Sequence, residues 1–561
     1  MPLKYPRIDL DGTDLLRRAG VIYSQILNDL LMKVDRGEGR YPKGFFHTST
    51  NTDSTPNYHH CMWARDVGRG IMELCRAGLL DAAGDAVEFI MQRGLNFGNR
   101  YGRVLCDINV PVLPEAHGYE IDGNVNVLMG IYSYWWFSGR KKDSAGRYLD
   151  NADKVFGWFE ELGEKCPYGF LLPSRSELSG NPDTPFLVYS IYATYGAVGV
   201  LRAYERMAKE VDPKRAMKYA VLAERFEQGM LQNLVSNGPH TPQNTKTPAG
   251  VWVNGLDESN GTAAEVGDFG PRFFIHRWTR QLPFVLDFDR DDETADSGIF
   301  GNVNEASYRY IRDGMAEGYF FRRYGFVSCT CFGGMGDRHD DTMAGYGQNL
   351  FTQAALLSDD VNVYTKCIDG ICRLAYDGDI VQPLTADLNP WVMHECFTYE
   401  NYEQGLDHTF GRVGNDSRFI MHNPGDEGNL VQSSETLKTF AIMAGITAAG
   451  DRLSIKPRLP WECTKAQVLD FPAVAPDGSL SRISYEFAAN RWKNEFVLEI
   501  TGTERFSEVA VRIGPLPRIL CNEERLKEEW GIIRHYQASF AERIIPTNGR
   551  DKITVTLINE Q

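Results

Sequence analysis

Met62-Trp63-Ala64-Arg65-Asp66-Val67-Gly68-Arg69-Gly70 decides the reading of this chain. A polar stretch, His47 to His60, ends here, and Val67, Ile71 and Leu74 then recur at helical spacing. One face of the helix that starts here therefore belongs to a core. Trp63, Arg65 and Asp66 cluster at its N-terminus, where a rigid element can hold them in a pocket. A guanidinium fixed beside a carboxylate suits the gripping of vicinal hydroxyls, and an indole offers an apolar face to a sugar ring. The plainer alternative is an Arg–Asp pair in a first helical turn with Trp as its hydrophobic neighbour. The rest of the chain weighs between the two.

At 561 residues the chain is too long for one ordinary domain, although a closed repeating barrel can hold well over ~250 residues around one core. A hydrophobic content of 43% with 24% charged residues is that of a soluble globular protein. The net charge of −16 disfavours nucleic acid and anionic membranes, because no basic stripe is available for phosphates. The 26 Tyr and 10 Trp exceed what a core needs, and carbohydrate sites use such rings as stacking platforms, though an aromatic-rich core is a sufficient explanation. The N-terminal Met1-Pro2-Leu3-Lys4-Tyr5-Pro6 lacks an apolar signal region, and no later run approaches a membrane span. The eleven cysteines make no disulfide framework, and Cys75, Cys367 and Cys372 sit in apolar helical patterns as small core residues. The expected compartment is the cytoplasm.

Up to residue 449 the chain reads as helices joined by loops of unequal length. The spacing predicts helices over 12–34, 64–77, 80–93, 122–138, 146–162, 185–209, 212–235, 301–317, 343–357, 359–376 and 432–446. Val125, Leu128, Met129 and Tyr132 make one stripe; Val188, Ile191, Tyr195 and Val198 make another. Several helices are apolar on more than one face, which suits a double-layered helical barrel. The long loops 94–121, 163–184, 236–300, 318–342 and 377–431 gather glycines, aromatics and acids, as expected if they open onto one face. After Gly450, Leu453–Ile455, Arg482–Phe487, Glu495–Ile500 and Val509–Ile513 alternate like strands. The expected division is a barrel over 1–449 and an antiparallel β-sandwich over 450–561.

Three anchors make the chain resemble the six-hairpin glycosidases, the glucoamylase-like superfamily of (α/α)6 barrels, in their rhamnosidase-like and glucoamylase-like members. They are Trp63-Ala-Arg-Asp66; Tyr119-Glu-Ile-Asp122-Gly-Asn124 with Tyr132 to Trp136; and Ser433 to Ile446 running into Leu453-Ser-Ile-Lys-Pro457. The resemblance implies a mainly α fold with a C-terminal sandwich. It does not settle the reaction, because the superfamily mixes hydrolases, phosphorylases and lyases.

Glycoside hydrolysis needs two carboxyls flanking the scissile bond, one protonated and one ionised. The resemblance places a general acid in the loop Leu172-Pro-Ser-Arg-Ser-Glu177, although Arg175 would lower a neighbouring carboxyl pKa. For the base, Glu395 ranks first because Trp391, His394 and Phe397 surround it; Glu400, Glu403 and Glu435 are rivals. Trp63, Arg65, Asp66, Asp122, His339, Asp341 and Trp391 are the candidate sugar-binding residues. Asp340 reads as an N-cap of the helix predicted at 343–357, and Asp122 as a cap of its own helix or a sugar ligand. Cys329-Thr-Cys331 has no second Cys or His pair at zinc spacing, and Gly333, Gly334 and Gly336 lack the Lys-Ser/Thr ending of a phosphate loop, so no metal and no cofactor is expected. The expected activity is exo-acting hydrolysis of a short oligosaccharide, by inversion. The rivals are a lyase using Tyr119, His117 or His339 as base, a phosphorylase, or a non-catalytic carbohydrate-binding protein. The expected partner is the oligosaccharide, with neither nucleic acid nor membrane; a homo-oligomer is compatible with the composition.

Overall fold

The computed structural model describes residues 5–49, 59, 61–93, 107–109, 121–173, 188–240, 248–264, 301–316, 319–327, 342–376, 381–382, 396–399, 419–421, 429–493, 495–520 and 523–558. Its helices are α1 (Asp14–Met32), α2 (Ala64–Arg76), α3 (Leu80–Arg93), α4 (Ile121–Phe137), α5 (Lys142–Glu164), α6 (Ile191–Val211) and α7 (Pro213–Asn233), followed by α8 (Gly301–Ala316), the short α9 (Tyr319–Tyr324), α10 (Gly345–Leu357), α11 (Val361–Tyr376) and α12 (Leu430–Ala444). The inner helices α10, α12, α2, α4 and α6 pack side by side in that order. Helices α1, α3, α5, α7 and α11 lie outside them, and α8 leans on α10 with the Tyr308 ring 6.1 Å from Phe351. This alternation is that of an (α/α)6 barrel.

Burial explains why the inner helices lack a clean amphipathic stripe. In α4 only Tyr134 is not fully buried, and α12 is buried along its whole length. A helix packed on every side needs no solvent-facing polar stripe, and the polar groups of α12 instead find partners on neighbouring helices, such as Arg69 for Glu435. Close approach is secured by Gly68, where a Cβ would stand 2.2 Å from the Asn126 carbonyl carbon of α4. Gly68 and Asn126 both lie in the second turn of their helices, so α2 and α4 run parallel and in register. All N-termini of the described inner helices thus gather at one end of the barrel.

That end is reached through short strands that the sequence did not announce. Cys61–Trp63 runs into α2, Val188–Ser190 into α6 and Thr342–Ala344 into α10. Ser190 then caps α6, its hydroxyl accepting from the Ala193 N–H at 3.1 Å. The expected helix at 185–209 accordingly starts later, at Ile191. The helix expected at 343–357 starts at Gly345, behind a strand, and Asp340, read as its N-cap, lies outside the described residues.

The last barrel helix also ends earlier than its apolar run suggests. Gly445, at φ 67°, turns the chain out of α12, and Ile446–Ala449 is already a strand. The β region contains two five-stranded sheets. One joins Arg7–Leu10, Lys465–Val474, Leu480–Asn490, Glu495–Thr501 and Lys552–Ile558; the other joins Ile446–Ala449, Arg452–Ile455, Glu508–Pro517, Ala538–Pro546 and Gly531–His535. Inward pairs such as Phe496 with Leu557 and Leu498 with Val555 build its core. The first strand comes from the opposite end of the sequence: Ile8 pairs with Val468. Between barrel and sheets, the buried Asp359 takes Arg512 at 2.6 and 2.7 Å, and the Tyr485 hydroxyl donates to the Ala444 carbonyl at 3.0 Å.

Candidate functional site

Trp63 is the last residue of the strand before α2 and occupies the helix N-cap position without capping it through its side chain. Its N–H donates to the Thr48 hydroxyl at 3.1 Å, while the Thr48 carbonyl accepts from the Leu430 N–H at 2.8 Å. Thr48 therefore ties the start of α2 to the start of α12. Beside it the His47 and His59 rings stack at 4.3 Å, and burial holds the His47 imidazole below its usual pKa.

One turn on, the sequence pattern becomes a charged cluster. Arg65 lies between two carboxylates, with Asp66 at 3.7 Å and Asp122 at 3.4 Å. Both carboxylates are almost wholly buried. Asp122, second in α4, also accepts the Gly123 N–H at 2.9 Å, so it serves its own helix terminus and Arg65 together. Tyr192, second in α6, faces the same group: burial first, then the Asp122 carboxylate, push its phenol well above the ordinary range, while Arg65 and Arg69 pull the other way.

Below this cluster, among the described residues, a second polar layer links the inner helices α2, α10 and α12. The Arg69 guanidinium meets Glu435 of α12 at 3.0 Å, and both side chains are nearly inaccessible, at 6% and 3% exposure. The Gln353 amide of α10 donates to the second Glu435 oxygen at 2.8 Å. Asn349 and Thr436 bond at 2.9 Å, and Thr439 donates back to Asn349 at 3.0 Å. Buried charge survives only with this kind of pairing. Glu435, a rival base in the sequence reading, is thus held in a salt bridge inside the barrel.

Of the residues expected at the site, Trp63, Arg65, Asp66 and Asp122 are brought to one place. Glu177, Glu395, His339, Asp341 and Trp391 lie outside the described residues, as do Glu400 and Glu403. Arg69, Tyr192 and Gln353 belong to the cluster and were not anticipated. Arg69 had a signal, since it follows Arg65 by one turn on the same helix face.

Fold and site together define a barrel of paired helices with a buried charged cluster at the N-terminal end of its described inner helices. This is the six-hairpin architecture expected from the sequence. A GH78 family rhamnosidase of Bacillus sp. GL1 superposes with a TM-score of 0.53 over 87% of this chain and 41% of its own, at 12% identity. An α-L-rhamnosidase from Dictyoglumus thermophilum gives 0.53 over 99% of this chain and 51% of its own, at 9% identity. The chain thus spans about half the length of these solved proteins, or less, and the likeness is one of fold. No protein-family model and no curated protein matches the sequence.

Proposed function

We propose that this protein is a glycoside hydrolase that removes the terminal sugar of a short oligosaccharide. The observation that carries this reading is the Arg65–Asp66–Asp122 cluster at the inner-helix N-termini of a fold shared with α-L-rhamnosidases. Two carboxylates braced by one guanidinium present charged acceptors to adjacent hydroxyls, and Trp63 supplies a ring for the sugar's apolar face. Exo action is supported by the buried Arg69–Glu435–Gln353 layer beneath the cluster, which would stop a sugar chain from passing along the barrel axis.

For the chemistry we assign Glu177 as general acid and Glu395 as general base. Supporting this, the segment holding Glu177 runs into the strand before α6. Glu395 directly precedes the strand Cys396–Tyr399, which pairs with Thr342–Ala344 at the head of α10. The described strands next to both residues, Val188–Ser190 and Cys396–Tyr399, belong to the end of the barrel where Asp66 sits. In an inverting reaction Glu177 protonates the leaving oxygen while Glu395 takes a proton from the attacking water, with the carboxyls about 6.5–9.5 Å apart. A cytoplasmic setting is supported by the free, buried thiols found among the described residues, Cys75, Cys166, Cys367, Cys372 and Cys463. Asp66→Asn tests the reading: in the folded variant kcat/KM should fall by a factor corresponding to about 1.5–3 kcal/mol, measured well below its melting temperature. Unchanged kinetics would make the cluster purely structural.

A further inference from the structure

Helix α12 is buried on all sides yet rich in polar residues, and Gln432, Glu435, Thr436 and Thr439 are spaced as neighbours on one face. The lower three have partners across the barrel axis in Arg69, Asn349 and Gln353. Gln432 differs. Its side chain is 0% exposed, and neither its amide nitrogen nor its amide oxygen has a hydrogen-bond partner among the described residues. A carboxamide buried with both ends unsatisfied is unfavourable unless something else completes it.

Its position says where that partner would be. Gln432 stands two turns above Thr439 on the same face, roughly 10 Å nearer the N-terminal end. Helical side chains also lean toward the N-terminus of their helix, which is the mouth of the barrel. Thr48 joins the starts of α2 and α12, accepting from the Trp63 backbone N–H at its hydroxyl and from the Leu430 N–H at its carbonyl, and Arg69 and Glu435 meet at 3.0 Å farther in. Asp66 and Gln432, each in the first turn of its helix, therefore lie at the same end of the barrel. The Gln353 Oε1, also buried and without a partner among the described residues, belongs to the layer beneath.

We propose that Gln432 is a sugar-binding residue of the Asp66 subsite, its carboxamide donating from Nε2 to one hydroxyl oxygen and accepting at Oε1 from the adjacent hydroxyl. The proposal rests on the glycosidase reading. A neutral group with one donor and one acceptor complements the charged acceptors Asp66 and Asp122, and it favours a vicinal diol over a deoxy position.

The test is calorimetric titration of wild type, Asp66→Asn, Gln432→Met and Gln432→Glu with L-rhamnose, D-glucose and D-glucuronate, beside their melting curves. The expected result is that Gln432→Met melts no lower than wild type yet binds the accepted sugar at least tenfold more weakly. Gln432→Glu, which keeps an acceptor and loses the donor, should also weaken binding and stands in if the Met variant does not fold. If Asp66→Asn loses binding while both Gln432 variants stay within twofold of wild type, Gln432 does not touch the sugar and this proposal falls alone. If wild type binds none of the three, the glycosidase reading falls and takes this proposal with it.

Discussion

At the scale of single residues, the site divides into charges that the sequence displays and charges that it hides. Arg65 and Asp66 are adjacent in the chain at a helix start, so their pairing was readable. Arg69 and Glu435 are far apart in the chain and meet only because the barrel closes, with Glu435 in the polar run Gln432-Ser-Ser-Glu-Thr436, which gives no hint of which cation it faces. That pair makes a sharp prediction. Glu435→Leu should cost about 3–5 kcal/mol of stability by leaving Arg69 charged and unpaired in the interior. Adding Arg69→Leu should restore much of the loss, which urea titration of the two single variants and the double variant would reveal. Equal losses that simply add would mean the two side chains do not interact.

At the scale of elements, helical periodicity located the barrel helices because each buries at least one continuous stripe. The sequence was weaker where packing rather than pattern decides. The strand Lys465–Val474 hides its alternation behind a bulge between Val468 and Phe471, with Asp470 at φ 60°. Arg7–Leu10 is only four residues, too short for a period to register. Contact between elements also leaves measurable marks. Gly68→Ala should destabilise the protein by about 1–3 kcal/mol, because the new methyl meets backbone of α4 that cannot swing away. A thermal melt indistinguishable from wild type would contradict the close α2–α4 approach. On α11, burial raises the Asp369 carboxyl from 3.8 to about 6, opposed by Arg373 and reinforced by Glu462. The folded state then keeps a proton that the unfolded chain has released, so stability falls as pH rises from about 4 to about 6. Asp369→Asn should be more stable than wild type by about 1 kcal/mol at pH 7.5, allowing for partial solvent screening, and no more stable at pH 4. A stability difference independent of pH would refute it.

At the scale of the whole molecule, the sheets are bound into the barrel. The chain's first strand lies beside Lys465–Val474, and Asp359 in the α10–α11 turn is satisfied by Arg512, with Arg458 at 3.5 Å. A chain ending at residue 449 would strand that carboxylate and uncover the surfaces now under Leu453 and Ile455. It should aggregate on size-exclusion chromatography, whereas a monodisperse, cooperatively melting product would contradict the docking argument. The central claim, hydrolysis at the N-terminal end of the inner helices, is tested most directly by following the product anomer by proton NMR. Aryl α-L-rhamnoside and aryl glucosides would be incubated with wild type, Glu177→Gln and Glu395→Gln. The account predicts release of one sugar with inverted anomeric configuration by wild type, near-complete loss in Glu395→Gln, and partial activity of Glu177→Gln on the aryl substrates, whose leaving group needs little protonation. Release with retention, an unsaturated sugar absorbing in the ultraviolet, or no release from any substrate by the folded protein would contradict it.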